Sequence, residues 1–282
     1  MTKLPPLERA VVLRNTPRNR RSPWAVRGAI PRSVMLTLAV SGFLLPFIGW
    51  LILSASAWVD PVFLPTPMKV LQRMTDWLIN DDLMSDVGIS IGRVFGGFIA
   101  ATVLALPVGI MIGTYAPAKA LLEPLTDFSR YLPAVAFIPL ILLWVGIDES
   151  AKVTVIFIGT FFQMVLMIAA DIVRVPNTAV EAAKTMGATD GEVLQYVLIP
   201  AARPAMLDTM RCNMGLAWTY LVVAELVAAN SGLGFSILKA QRFLQTDKIF
   251  AGILLIGLVG LLTDLAFRWL HRHCFRWHHL RG

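Results

Sequence analysis

The sequence has little charge and little cysteine. Asp, Glu, Lys and Arg make up 15% of the 282 residues, whereas about 25% is usual in a soluble domain. Hydrophobic residues make up 56%, and the mean hydropathy is +0.68. Cys212 and Cys274 are too few for a disulfide framework. These shortages exclude an ordinary soluble domain and favour a membrane protein.

Signatures of several enzyme classes are also missing. The sequence has no G-x-x-x-x-G-K-[ST] phosphate loop, no H-E-x-x-H and no C-x-x-C. Its carboxylates are scattered along the chain. The tail contains His271, His273, Cys274, His278 and His279, but no second cluster completes a metal shell. We therefore predict no catalytic residue, and no metal or cofactor bound by this chain.

Six apolar stretches are long enough to cross a membrane, which takes about 20 residues in a helix. They are residues 34–53, 87–113, 121–145, 153–170, 209–229 and 249–269. This predicts an all-α polytopic membrane protein. Between the first two, the apolar residues of 67–80 recur at helical spacing. We expect that segment to form an amphipathic helix on the outer membrane surface.

Lys and Arg set the expected orientation. They are concentrated in a basic N-terminal arm, residues 1–33, and in a basic tail, residues 271–282, on either side of the membrane domain 34–270. The net charge of +7 fits the positive-inside rule, and a nucleic-acid partner is not needed to explain it. Six crossings with both ends in the cytoplasm predict that the connector 176–201 is also cytoplasmic.

Three charged residues at membrane depth are candidates for the translocation pathway or for ion pairs. Arg93 and Glu225 lie near the outer ends of oppositely running spans, so they could pair. Arg130 lies three residues before Pro133, where a proline breaks the helical hydrogen bonding. It could attract an anion entering a pathway, or simply pair with Asp127. Asp264 could likewise reach Arg268 one turn further on.

The connector carries the most specific pattern. Residues 181–204 read EAAKTMGATDGEVLQYVLIPAARP. We predict a short helix capped by Asn177 or Thr178 with Glu181 in its first turn, then a change of direction at Gly187. A second helix should begin near Thr189, and Pro200 and Pro204 should end it. The two helices would form a rigid elbow.

This connector resembles the EAA motif of ABC importer permeases, EAA-x3-G-x9-I-x-L-P, with Val197 and Ile199 as the departures. The segments Arg130–Pro133, Ala217–Trp218 and Gly232–Gly234 further resemble the nitrate, sulfonate, taurine and bicarbonate subgroup of these permeases. The resemblance covers about Leu64 to Arg272. It implies the type I importer fold, in the bacterial inner membrane, and a pathway for a small anion.

The resemblance also implies partners. Two permease copies pair, with a homodimer expected, and two separate ATPase subunits holding ATP and Mg dock beneath them. A periplasmic binding protein delivers the solute. The expected ATPase contacts are Glu181, Ala182, Ala183, Met186, Gly187, Ala188 and Thr189. The alternatives are a self-contained secondary transporter or channel that uses Glu225 and Asp264, and a polytopic membrane enzyme.

Overall fold

The computed structural model describes residues 30–56 and 58–276, and these residues contain helices and turns but no strand. Inside a bilayer no water satisfies backbone polar groups, so a continuous helix satisfies them within its own segment. The chain divides by contacts into residues 1–56 and 57–282. The first unit contains helix α1, Arg32–Ala55, which includes the predicted first span. Most of the predicted N-terminal arm, and residues 277–282 of the tail, lie outside the described residues.

The second unit contains the remaining helices. Their bounds are α2 Pro67–Asn80, α3 Leu83–Thr114, α4 Ala116–Arg130, α5 Ile138–Val145, α6 Glu149–Val173, α7 Asn177–Thr185, α8 Asp190–Val193, α9 Ile199–Ala228, α10 Leu233–Arg242 and α11 Thr246–Cys274. A 3₁₀ turn, Ala134–Phe137, precedes α5. A π-helical turn, Leu194–Leu198, leads into α9.

Helices α3, α6 and α9 form the core of this unit, and glycines bring α3 close to α6. A Cβ added at Gly109 would lie 2.7 Å from the carbonyl oxygen of Val165. One added at Gly97 would lie 2.7 Å from Cβ of Ile156. Small residues permit such close backbone approach between membrane helices. Gly88 and Gly92, in contrast, face open space, so only part of the glycine-rich stretch serves helix packing.

Within the described residues, four helices are long and apolar enough to cross a membrane: α1, α3, α6 and α11. The stretch 121–145, predicted as one span, is two helices that meet at 88° around residues 131–133; counted together they bring the number to five. The stretch 209–229 lies within α9. That helix has 30 residues, but Asp208, Arg211 and Glu225 make it less apolar than the other spans.

The amphipathic helix predicted at 67–80 is confirmed as α2, Pro67–Asn80. Its N-cap is Thr66, whose hydroxyl accepts a hydrogen bond from the backbone N–H of Lys69 at 3.4 Å. Val70 and Trp77 are buried, whereas Leu71 and Leu78 of the predicted apolar face remain exposed. The ring of Trp77 packs beside Gly252 of α11. α2 therefore docks against the helical unit through one edge of its apolar face.

Candidate functional site

The elbow, residues 176–201, begins with α7 and a turn closed by glycine. The N–H of Ala188 donates to the carbonyl of Ala183 at 3.1 Å, and the N–H of Gly187 donates to the carbonyl of Lys184 at 2.9 Å. Gly187 has φ +90°. This pair of hydrogen bonds defines a Schellman motif, in which the residue after the C-cap has a positive φ and is usually glycine. The glycine spacing of the EAA pattern thus follows from how α7 ends.

The second half of the elbow begins with a capping box. Thr189 caps α8, and the N–H of Glu192 donates to the Thr189 hydroxyl at 3.4 Å. The carboxylate of Glu192 accepts from the Thr189 N–H at 2.8 Å. This backbone hydrogen bond, followed by that from the Thr189 hydroxyl, holds the pKa of Glu192 below its ordinary value. Lys184 and Asp190 form an ion pair of 2.9 Å across the turn. The elbow is therefore a defined structure and not a flexible loop.

Most residues predicted to contact an ATPase lie on the surface of the elbow. Glu181, Ala182, Met186, Gly187 and Thr189 are exposed, and Ala188 is half-buried. Met186, a large apolar side chain, is 82% exposed. Ala183 is instead buried at 6% exposure. It anchors α7 to the rest of the chain and is the only member of this predicted set to be buried.

Three details of the elbow differ from the sequence predictions. Pro176 occupies the N-cap of α7 and no side chain caps the helix, so the predicted caps Asn177 and Thr178 are wrong. Glu181 lies beyond the first turn, where a carboxylate no longer favours the helix dipole. Pro200 and Pro204 do not end a helix. Pro200 is the second residue of α9, directly after the π-helical turn Leu194–Leu198, and Pro204 lies inside α9.

A buried carboxylate ties the two ends of the elbow together. Asp171, near the end of α6, is 3% exposed. It accepts a hydrogen bond from the Thr209 hydroxyl of α9 at 2.6 Å and another from Arg174 at 2.9 Å. The helices that enter and leave the elbow are thus joined at one point. Sequence reasoning missed this contact, because residues 171 and 209 are far apart and neither belongs to a motif.

A cavity of about 320 Å³ lies at the bend between α4 and α5. Its lining includes Ser129, Arg130, Ile158, Gly159, Gln163 and Tyr220. Gly159 lies about 15 Å along α6 from its start, at a rise of about 1.5 Å per residue, and so near the middle of that span. Irregular backbone at membrane depth is tolerated where it is buried or lines a cavity. The bend and the cavity occur together here.

Arg130 pairs with Asp127 and also lines this cavity. Its Nε lies 3.1 Å from a carboxylate oxygen of Asp127, and its Nη2 donates to the Tyr131 hydroxyl at 3.1 Å. The guanidinium carbon also lies 4.8 Å from the centre of the Tyr131 ring. The Arg130 side chain remains 35% exposed and lines the cavity. The ion pair with Asp127 therefore leaves part of the Arg130 side chain exposed, and Arg130 lines the cavity.

Arg93 and Glu225 come together as the centre of a buried network. Nη1 of Arg93 donates to Oε1 of Glu225 at 2.7 Å. The same guanidinium donates through Nε and Nη2 to the two carboxylate oxygens of Glu149, at 2.5 and 2.6 Å. It also donates to the carbonyl and hydroxyl oxygens of Ser231, at 2.7 and 3.1 Å. All five N–H groups of an arginine are thereby used.

The same network holds the start of α10. The N–H groups of Gly232, Leu233 and Gly234 donate to Asp86 at 2.8 Å, Ser90 at 3.0 Å and Glu225 at 2.6 Å, respectively. These are donors of a first helical turn, which find no partner within the helix itself. Gly232 has φ +104°, and an added Cβ would lie 2.6 Å from Nη1 of Arg93. The Gly-Leu-Gly sequence therefore lets the chain wrap around the ion pair.

Asp264 and Ser90 also have defined partners within the chain. Asp264 accepts from Nε of Arg268 at 2.7 Å, as predicted, and also lies 2.9 Å from Nε of Arg211. Ser90 stands in the sequence GISIG, which has the spacing of a hydrolase nucleophile motif. It lies inside α3 and donates to Glu225 at 2.7 Å, so it is a structural residue.

No group of three His, Cys, Asp or Glu suited to a metal occurs within residues 30–276, as far as these are described.

The fold and the elbow together define a helical membrane permease. Residues 105–276 match the family described as the binding-protein-dependent transport system inner membrane component. The taurine transport system permease TauC of Escherichia coli is 31% identical over 95% of this chain and 98% of its own length. The putative aliphatic sulfonates permease SsuC of Bacillus subtilis is 31% identical over 96% of this chain and 94% of its own length.

Among solved structures, an inward-facing methionine ABC transporter, MetNI, matches with a TM-score of 0.61 and 21% identity, over 68% of this chain and 95% of that chain. At that identity the likeness concerns the fold alone. The chain belongs to the family of inner membrane components of binding-protein-dependent transport systems, the permease subunits of ABC transporters. The predicted fold class and family are thereby confirmed.

Proposed function

We propose that this permease forms the pathway for a small anion with a sulfonate-type head group, and that a separate ATPase drives it through the elbow. Both ends of the chain would be cytoplasmic, and a periplasmic binding protein would deliver the solute. The observation that carries the proposal is the exposed, internally braced elbow, which is joined to α6 and α9 by buried contacts. A rigid connector can transmit a displacement into the membrane helices.

The surface of the elbow suits a protein partner. The carboxylate of Glu181 makes no hydrogen bond or ion pair with the described residues, and Met186 is 82% exposed. Methionine is enriched at protein–protein interfaces, and an exposed carboxylate without a partner in the chain is available to a cation of a docked protein. We therefore assign Glu181, Ala182, Met186, Gly187 and Thr189 to the ATPase contact. The buried Ala183 would support these contact residues from within the elbow. ATP and Mg would be bound by the partner ATPase alone.

The cavity at the α4–α5 bend suits a small anion. It combines a partly exposed cation, Arg130, with the neutral polar groups of Ser129, Gln163 and Tyr220. Its volume of about 320 Å³ matches a small molecule. The relatives named for taurine and aliphatic sulfonates support the sulfonate class. Nitrate and bicarbonate are smaller anions that the same cavity could pass.

The alternative, a self-contained carrier, would need a carboxylate free to bind a coupling ion. Glu225 is fully buried and paired with Arg93, and Asp264 is shared by Arg211 and Arg268. Each acid already has a cationic partner, which favours the ABC permease. Uptake into vesicles that contain this chain alone, driven by an ion gradient, would establish the carrier instead.

Two substitutions on the elbow surface test the proposal. Glu181→Lys and Met186→Asp change exposed side chains, so they should not alter membrane insertion. We expect each to reduce co-purification of the ATPase with the permease by at least ten-fold. The ATPase to co-express is the cognate ATPase of the transporter, and solute uptake should fall when the ATPase no longer binds.

Gly191→Ala is the matched control. Gly191 lies on the same elbow, has open space around it and has no positive φ. It should retain the ATPase and the uptake rate. Undiminished co-purification of Glu181→Lys and Met186→Asp would remove the elbow from the ATPase interface.

A further inference from the structure

An apolar groove of about 370 Å³ lies between α3, α9 and α11, at the ends of these helices that are cytoplasmic in the proposed orientation. Its walls are apolar side chains from the three helices, among them Leu106, Ile110, Met206, Met210 and Leu270. Among the described residues of the lining, Arg203 is the only charged side chain. The groove shares no lining residue with the cavity at the α4–α5 bend.

The groove changes in character from its mouth inward. Arg203 and Cys274 lie near the mouth, since α9 begins at Ile199 and α11 ends at Cys274. Met210 lies deeper along α9 than Arg203 by roughly 10 Å, at a rise of about 1.5 Å per residue. A cation therefore stands at one end, and an apolar trough leads from it into the membrane. A phospholipid has the same order, with a phosphate at the surface and acyl chains beneath it.

The charge of Arg203 is available to a ligand. Its side chain is exposed and makes no hydrogen bond or ion pair with the described residues. The next acid along α9, Asp208, lies 3.3 Å from Nη1 of Arg211 and 3.6 Å from Nε2 of His271. Guanidinium groups bind phosphate oxygens through two parallel hydrogen bonds. An unpaired arginine at the mouth of an apolar groove thus favours a phosphate that carries an acyl chain.

The surroundings of the groove favour an anionic lipid over a zwitterionic one. A neighbouring recess on α9 and α11 is lined by Asp208, Arg211, Arg268, His271 and Arg272. Arg272 is exposed and makes no ion pair within the described part of the chain. A zwitterionic head group would add an ammonium group to these cations, whereas an anionic head group would offset them. Basic pockets between membrane helices on the cytoplasmic side bind anionic head groups.

Charge also argues against the N-terminal arm of this chain as the occupant. Residues 1–29 contain seven Lys and Arg, and Glu8 is their only acid. Such a segment is repelled by Arg203 and Arg272. The groove therefore fits an anionic amphiphile better than it fits this arm.

We propose that this groove binds an anionic phospholipid, with one acyl chain against Leu106, Ile110 and Met210 and the phosphate paired with Arg203. The lipid contacts the first turns of α9, directly after the elbow. The cytoplasmic location of the site rests on the proposed function, but its ligand chemistry does not.

Thiol labelling of the purified transporter in lipid nanodiscs tests the site. The native Cys274 lines the groove and the native Cys212 does not, and both thiols are exposed. N-ethylmaleimide is the uncharged reagent, and the probe is dioleoylphosphatidylglycerol added to phosphatidylcholine. We expect the alkylation rate of Cys274 to fall by about five-fold or more and then level off as the anionic lipid is increased. Cys212 should react at a constant rate.

Three variants show whether Arg203 holds the lipid. Arg203→Gln should abolish the protection of Cys274, because it removes the charge that pairs with the phosphate. Arg203→Lys keeps the charge but loses the planar donors, so it should retain part of the protection. Lys119→Gln removes another exposed cation, near the start of α4, and is the matched control that should keep full protection. A general effect of the negative surface on thiol reactivity would persist in Arg203→Gln.

Native mass spectrometry measures the bound lipid directly. The wild type should retain phosphatidylglycerol that Arg203→Gln loses. Protection that is equal in pure phosphatidylcholine, or that survives in Arg203→Gln, would overturn the proposal and assign the groove to a neutral acyl chain. Protection in lipid-free detergent that increases with protein concentration would also overturn it, and would assign the groove to a second copy of the chain.

Neither measurement depends on ATP hydrolysis or on solute uptake. A failure of the elbow variants to release the ATPase would therefore leave the result for the groove unaffected.

Discussion

Nη1 of Arg93 lies 2.7 Å from Oε1 of Glu225, and the two side chains are 2% and 0% exposed. Through this contact α3 and α9 are joined at one end, and Glu149 adds the start of α6. A buried ion pair is stabilised only if its remaining donors and acceptors are also satisfied. Here the guanidinium and the Glu225 carboxylate both meet that condition, and the turn before α10 supplies the remaining partners.

Removal of one partner should therefore destabilise the permease strongly. We expect Glu225→Ala to lower the free energy of unfolding by about 3–5 kcal/mol, because it breaks the buried pair with Arg93 and leaves the Ser90 hydroxyl and the Gly234 N–H without their acceptor. Arg93→Lys keeps the charge but loses the planar five-donor geometry, so it should also be destabilising. Reversible denaturation in detergent measures both. Lys119→Ala breaks only an exposed pair with Glu123 and should change stability by less than about 1 kcal/mol.

The coupling turn gives a second prediction. Gly187→Val forces a β-branched residue to φ +90° and should cost about 1–2 kcal/mol locally, which would loosen the Schellman turn. We expect the permease to insert normally while ATPase stimulation by loaded binding protein falls. Gly191→Val, four residues away with no positive φ, should keep full stimulation. Equal stimulation in both variants would mean that the turn geometry does not matter for coupling.

Local features of this chain could be predicted from its sequence, whereas long-range contacts could not. The spans, α2 and the turn at Gly187 follow from hydropathy, helical periodicity and the backbone freedom of glycine, which are properties of neighbouring residues. The pairing of Arg93 with Glu225 could also be predicted, because the predicted topology places both residues at the same depth in the membrane. The contacts of Glu149, Asp171 and the Gly232–Gly234 turn depend on which helices are adjacent, and periodicity does not contain that information.

The junction of α6 and α9 gives a third prediction. Asp171→Ala leaves the Thr209 hydroxyl without its acceptor at 2.6 Å, and Thr209→Val removes the donor. We expect both variants to bind the ATPase normally but to transmit its cycle poorly, with solute uptake reduced more than ATPase co-purification. The double variant should resemble Asp171→Ala, because Thr209→Val causes no further loss once the Asp171 carboxylate is gone. Additive losses would indicate that the residues act independently.

Acidification should weaken the capping box of the elbow. The folded pKa of Glu192 is lowered by the Thr189 N–H, so its contribution to stability is fully present above the unfolded pKa of about 4.3. That contribution is lost as the pH falls through the lower folded value. Proteolysis of the elbow should therefore accelerate in strong acid. Glu192→Gln should be cleaved faster at neutral pH and show a smaller change on acidification. A variant that matches the wild type at every pH would contradict this role.

The cavity at the α4–α5 bend gives the last prediction. A Cβ added at Gly159 would lie 2.6 Å from Cε2 of Tyr220, so Gly159→Ala must displace that ring, which lines the cavity. We expect uptake of larger sulfonates to fall more than uptake of smaller anions. Arg130→Gln should reduce uptake of all anions, because the cation is lost while the cavity keeps its shape. Gly215→Ala, on α9 with open space around it, is the control and should transport at the wild-type rate. If Gly159→Ala and Arg130→Gln leave the uptake rates of the larger sulfonates and of the smaller anions unchanged, the pathway does not pass through this cavity.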